Sequence, residues 1–166
     1  MRLVRPLLAL ILVAAAAGCA RSWARSSAPT SAPASPAPSP VGIEAARFAQ
    51  GLEGEPYCWG GGGPDCYDAV GLAHRAWASV GVILPRDAEE MRRRLPPVHW
   101  SLVQPGDVLW RPGHVALYVE RGWAIHVVEP EATAAPGAGG SESSTPGAVV
   151  YEPANAYQVA LRPWSE

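Results

Sequence analysis

A chain of 166 residues, 48% of them apolar and 17% charged, is long enough for one domain with its own core. Thirteen Lys and Arg against 15 Asp and Glu leave a formal net charge of −2, which removes any argument for a nucleic-acid partner. Eighteen Pro and 17 Gly are the departure from ordinary composition, and they gather in stretches that read as tether and loops.

The chain opens with Arg2 and Arg5, an apolar run from Leu7 to Ala17, and then Gly18-Cys19. The run is too short to span a bilayer and its flanks are those of a secretory signal. Ala16-Ala17-Gly18-Cys19 resembles a bacterial lipobox, which would make Cys19 the lipidated mature N-terminus and give the protein a membrane anchor; an ordinary signal peptide cleaved nearby is the alternative. Residues 20–42, rich in Ala, Ser and Pro, have too little apolar surface to fold and read as a tether. At about 3.1 Å per residue it reaches roughly 60 Å, a distance suited to a partner in the cell wall rather than in the bilayer. The folded domain is expected over 43–166.

Ile43 to Leu52 predicts a short amphipathic helix with Ile43, Ala46, Phe48 and Ala49 as its contacts. Next comes a glycine-rich loop that holds Cys58 and Cys66. The export signal implies an oxidising compartment, so these two thiols are expected to pair rather than stay free. A helix is predicted from Ala69, with Ala69, Leu72, Ala73, Ala76, Trp77 and Val80 on its buried stripe, Asp68 as N-cap and Gly81 as the left-handed residue that ends it. A side chain at Ala69 would therefore face inward in the first turn, where free N–H groups and the helix dipole lower the pKa of a thiol.

Arg86 to Leu95 predicts a second helical piece, stopped by Pro96 and Pro97, and its run Arg92-Arg93-Arg94 reads as a solvated face. Trp100 is expected to pack. Val103-Gln104-Pro105-Gly106-Asp107 forms a turn into a strand at Val108 to Trp110. His114 to Val119 alternates as a strand and Trp123 to Val128 forms the next. A two-residue turn at Arg121-Gly122 would place His126 opposite Leu117, on the face away from His114. A three-residue loop from Glu120 to Gly122 instead pairs Val119 with Trp123 and Ala116 with His126, and brings the two histidines to one face; this register is preferred because Gly122 takes the positive-φ position. Glu129 to Gly147 reads as a surface excursion, and Ala148 to Tyr151 and Gln158 to Arg162 close the sheet.

The segments PYCWGG, GPDCYDAVGL, LPR, VQPGDVLW, GHVALYV and WAIHVV resemble, in order and spacing, the motifs of the NlpC-type cell-wall cysteine peptidases. The resemblance covers roughly Ile43 to the C-terminus. It implies an α+β, papain-like fold with N-terminal helices packed on a small antiparallel sheet. It also implies a Cys nucleophile in a motif Asp-Cys-Ser-Gly-Leu, where this chain reads Asp68-Ala69-Val70-Gly71-Leu72. His114 matches the family's general base and His126 the residue that orients it. Tyr57, Trp59 and Asp68 are the candidate substrate contacts around the glycine loop, Tyr57 resembling the family's tyrosine beside the thiol. Ala69 thus leaves the nucleophile position without an attacking atom.

The resemblance implies cleavage of peptidoglycan stem peptides. The departure at Ala69 turns the expectation toward a catalytically impaired, wall-binding or regulatory lipoprotein, acting as a monomer in the cell envelope without a cofactor. An active endopeptidase using Cys66, or a structural envelope lipoprotein, are the alternatives. Two histidines beside a vacated position raise the question of a metal, but no Cys/His ligand spacing supports one. His74 and His99 receive no role.

Overall fold

The computed structural model describes residues 37–130 and 147–163. The signal segment, Cys19, most of the tether and residues 131–146 of the excursion lie outside the described residues.

Helix α1 (Pro40–Gln50) begins three residues before the predicted Ile43 start, because Pro40 stands in the first turn, where its fixed φ suits a helix and its missing N–H has no partner to lose. Its buried stripe is Gly42, Ala45, Ala46 and Ala49. Ala45 takes a place the periodicity gave to Ile43, which is only half-buried, and Phe48 packs at the margin. The rotation follows from a close backbone approach: a Cβ on Gly106 would lie 2.5 Å from the Gly42 carbonyl oxygen.

Helix α2 (Ala69–Ala78) starts where expected, with the Asp68 carboxylate accepting a hydrogen bond from the Gly71 N–H. Leu72, Ala73, Ala76 and Trp77 are buried, and the Trp77 indole donates to the Gly106 carbonyl at 3.0 Å. Gly81 has φ +84°, as its place after the helix predicts. Helix α3 (Ala88–Arg94) is capped by Asp87, which accepts from the Glu90 N–H at 2.7 Å. Leu95 then turns extended ahead of Pro96.

Six strands follow: β1 (Pro97–Val98), β2 (Val108–Arg111), β3 (His114–Glu120), β4 (Trp123–Val127), β5 (Val149–Pro153) and β6 (Val159–Leu161). They form one antiparallel sheet in the order β1-β6-β2-β3-β4-β5. Val115, Leu117 and Val119 of β3 enter the main core with Ile125, Val127, Val149 and the apolar faces of α1 and α2. On the other face Leu109, Ala116, Ala124 and Ala160 form a smaller core with Ala154 and Tyr157. The helices-on-sheet α+β architecture is the expected one.

The β3–β4 hairpin combines the two registers considered from sequence. The turn has two residues, Arg121 (φ +50°) and Gly122 (φ +84°), closed by the pair Glu120 and Trp123 rather than by the predicted three-residue loop. An irregularity between Tyr118 and Glu120 then shifts the ladder to Tyr118 with Ala124 and Leu117 with Ile125. That shifted ladder is the preferred register, so His126 comes to the face of His114.

Candidate active-site cleft

The glycine loop is anchored at both ends. Gly54 and Tyr57 donate to the Val149 and Gly147 carbonyls at 2.9 and 2.8 Å, Cys58 donates to Tyr67 at 3.1 Å, and Tyr67 donates to Pro56 at 2.9 Å. Cys58 and Cys66 form a disulfide. Cys66, the alternative nucleophile, therefore has no thiolate to offer, because its sulfur already carries a bond to Cys58.

Inside the disulfide loop, Gly61 accepts from the Asp68 N–H at 3.0 Å, and the Arg86 guanidinium donates to the Gly60 carbonyl at 3.0 Å. These bonds press the loop against the first turn of α2. The contact leaves no space at residue 71, where a Cβ would fall 1.7 Å from the Gly61 carbonyl oxygen. Ala69 lies in that turn, 8% exposed. Asp68 is engaged in capping the helix. Trp59, at the loop's tip, is 87% exposed.

On the sheet, His114 Nε2 and His126 Nδ1 are 3.0 Å apart, with ring planes at 77°. The single proton between them goes to one nitrogen or the other. When His114 Nε2–H donates to His126, its Nδ1 keeps a lone pair able to accept a proton. Burial lowers the His114 pKa to about 4; the Arg111 guanidinium and His126 push the same way and Glu152 pushes back. His126 is also held below the usual histidine range, by burial first and then Arg111, against the opposing pull of Glu152. Near neutral pH the pair is uncharged.

Glu152 is the residue that sequence reasoning missed. The predicted strand stopped at Tyr151, whereas β5 runs to Pro153 and pairs Ala124 with Glu152 and His126 with Val150. Glu152 is thus the diagonal neighbour of His126 on one face, with its Oε1 3.5 Å from His126 Nδ1. Extending the strand by one residue would have put Glu152 on the sheet, on the face of Val150, but would not have placed it beside His126. Tyr157 donates its hydroxyl to the same oxygen, Arg111 lies 3.4 Å from it, and the Arg111 guanidinium stacks on the Tyr157 ring at 4.8 Å. The Tyr157 ring in turn stacks on His114 at 6.3 Å. Burial raises the Tyr157 pKa, and the hydrogen bond and charge of Glu152 raise it further.

His114, His126, Glu152 and Arg111 line a cavity of about 510 Å³ together with Glu129 and Tyr151. Tyr57 lies within electrostatic reach of this cavity and of the α2 N-terminus: burial, then Glu129, then Asp68 raise its pKa. His99 lies elsewhere, its ring accepting from the Ser101 N–H at 3.3 Å in a local turn. Trp100, expected to pack, is 42% exposed because the short 3-10 turn Trp100–Leu102 carries it out over the second face of the sheet.

The arrangement holds an uncharged imidazole pair and a carboxylate in a partly open cleft, and the first side chain of α2, Ala69, is a methyl group. It can accept protons and hydrogen-bond a polar ligand, and Ala69 brings no nucleophile.

The NlpC/P60 family model matches residues 54–136. A protein described as a probable endopeptidase from Mycobacterium tuberculosis is 36% identical over 76 residues, 44% of this chain. The matched stretch spans a fifth of that relative, 20% of its length. Among solved structures, NlpC1 from Trichomonas vaginalis superposes with a TM-score of 0.59 at 23% identity, covering 75% of this chain and 45% of that one. RipD from Mycobacterium tuberculosis, described as a non-catalytic NlpC/p60 domain protein adapted to peptidoglycan binding, superposes with a TM-score of 0.56 at 22% identity, covering 75% of this chain and 98% of its own. At these identities the superpositions establish the fold.

Proposed function

The chain belongs to the NlpC/P60 family, and from that premise we propose that it is a catalytically impaired member that binds peptidoglycan stem peptides, or regulates wall hydrolysis, from an envelope lipoprotein anchored through Cys19. The observation that carries the reading is the pairing of a complete-looking cleft with a methyl group where the family's motif has its sulfur. His114 and His126 keep the 3.0 Å contact of a base and its orienting partner. Ala69 stands in the first turn of α2, behind the Asp68 N-cap. A base with no thiol to deprotonate cannot start acyl transfer, and removing the nucleophile of a comparable triad lowers turnover by about 10⁶-fold. Groove contacts are separate from the attacking atom, so affinity for a peptide survives that loss.

The disulfide weighs against an active enzyme built on Cys66, since the sulfur is bonded to Cys58. It also suits the oxidising envelope that the signal segment points to. Among the described residues no helix is long and apolar enough to cross a membrane, and the lipid on Cys19 would supply the attachment. RipD, described as non-catalytic and peptidoglycan-binding, is a precedent in the same fold.

The test is binding and turnover measured side by side on purified sacculi and synthetic stem peptides, with Ala69→Cys as the informative variant. The expected result is saturable binding with no cleavage by the natural sequence, and gain of cleavage in Ala69→Cys that disappears when His114→Ala is added. Cleavage by the natural sequence that is lost in Cys66→Ser would overturn the reading, and absence of any binding would favour a structural envelope protein.

A further inference from the structure

We propose that His114, His126 and Glu152 form a binding site for one zinc ion, a role that rests on the vacated nucleophile position and goes beyond wall binding. One ligand atom from each of the three residues lies within 4.8 Å of the others. His114 Nε2 to His126 Nδ1 is 3.0 Å and His126 Nδ1 to Glu152 Oε1 is 3.5 Å. Four ligands at zinc bond lengths of about 2.0–2.1 Å sit about 3.3 Å apart along the edges of a tetrahedron, so both separations fall near the spacing of a shared ion. The donor set, two imidazoles and a carboxylate, is that of an open zinc site with one position left for solvent or ligand. Here that position would face the 510 Å³ cavity these residues line.

The protons at this point of the cleft favour a cation. Two ring nitrogens and a carboxylate oxygen converge, and one N–H can satisfy only one of the contacts among them. His126 Nδ1 to Glu152 Oε1, at 3.5 Å, is too long for a good hydrogen bond. An ion that draws the cluster in from its 4.8 Å span would meet all three lone pairs at once. A peptidase would use the same atoms otherwise: its base must present Nδ1 to the sulfur while Nε2 is held by the orienting residue. With Ala69 that demand is gone, and His114 is free to take the tautomer that leaves Nε2 unprotonated.

The neighbours of Glu152 fit this use unequally. Tyr157 donates to Glu152 and would keep the carboxylate aimed at the ion, as hydrogen-bonded partners of metal ligands do. Arg111, 3.4 Å from the same oxygen, opposes a second positive charge. The site is therefore expected to be weaker than a dedicated structural site and to tighten when Arg111 is removed. The disulfide keeps Cys58 and Cys66 out of any competing thiolate site.

The experiment is a zinc titration of the chelator-stripped full chain carrying Cys19→Ser, read by competition with a chromophoric chelator near pH 7.5. Cobalt absorption reports the geometry. The expected result is one zinc per chain, a loss of at least tenfold in affinity for His126→Ala and for Glu152→Gln, tighter binding for Arg111→Met, and no change for His99→Ala. Circular dichroism establishes that each variant is folded, and the intense visible bands of tetrahedral cobalt in the unmodified site supply a readout that does not depend on the variants. No zinc bound, or zinc bound equally well by His126→Ala and Glu152→Gln, overturns the proposal. So does cobalt with the weak bands of a fully hydrated octahedral ion. None of these outcomes bears on sacculus binding, which is measured without metal.

Discussion

Opening the Cys58–Cys66 bond, by reductant or as Cys58→Ser with Cys66→Ser, tests how far the glycine loop depends on it. The two cysteines are eight residues apart in sequence. For so short a loop the chain-entropy relation gives about 8 cal/mol/K, or about 2.5 kcal/mol at 25 °C. Unfolding entropy near 2.1 cal/mol/K per residue, over about 110 described residues, converts this into a fall in Tm of about 10 °C. The assay is thermal unfolding by circular dichroism in matched oxidised and reduced samples, with the bond verified by a mass roughly 2 Da lower in the oxidised protein. The entropy relation assumes an unstructured loop in the unfolded chain, and four glycines from Gly60 to Gly63 support that assumption. A fall of less than about 3 °C would refute the reasoning, because the loop would then stay closed in the unfolded chain without need of the bridge.

Two further substitutions probe the frame of the cleft. Gly71→Ala places a methyl group against the Gly61 carbonyl and should cost about 3 kcal/mol or more, since backbone on both sides must separate; an unchanged urea midpoint would contradict the packing described. Arg162→Met removes the guanidinium that grips both oxygens of the fully buried Asp107 at 2.9 and 3.0 Å, and should cost about 3–5 kcal/mol by leaving that carboxylate short of its charge partner. A loss below about 1 kcal/mol in equilibrium unfolding would show that the Gln104 amide alone satisfies Asp107.

The elements nearest the cleft were legible because they obey short-range rules. Asp68 caps, the three-and-four stripe from Ala69 to Trp77 is buried, Gly81 is left-handed, and β3 alternates as written. What the sequence hid was set by contacts between distant segments. α1 rotates onto Ala45 because its glycine edge meets the turn at Gly106, a contact 64 residues away along the chain. The hairpin uses the two-residue turn and still reaches the preferred register, because an irregularity beside Val119 absorbs the extra residue. Local turn chemistry could choose between the two loops, but not combine them. Glu152 escaped for a similar reason: β5 follows a long excursion, and nothing near it in sequence announces that it will lie diagonally across from His126.

The polar cluster itself argues that the cleft has a use. Two imidazoles, a carboxylate, a guanidinium and a phenol are drawn together on the face of the sheet that elsewhere carries Leu109, Ala116, Ala124 and Ala160. Taking such groups out of water costs free energy that their mutual contacts only partly return, and apolar replacements of similar volume are often neutral or stabilising. Burial first, then Arg111 and His126, drive His114 down to a pKa of about 4 against the pull of Glu152, a measure of how poorly the site tolerates its charge. Folding stability therefore does not account for these residues. Proton transfer to a thiol does not account for them either, with a methyl group at residue 69. The binding role proposed above would account for them: an uncharged imidazole pair beside a carboxylate and a guanidinium offers both donors and acceptors to a ligand entering the cavity, and such groups would gain their compensation when that ligand arrives.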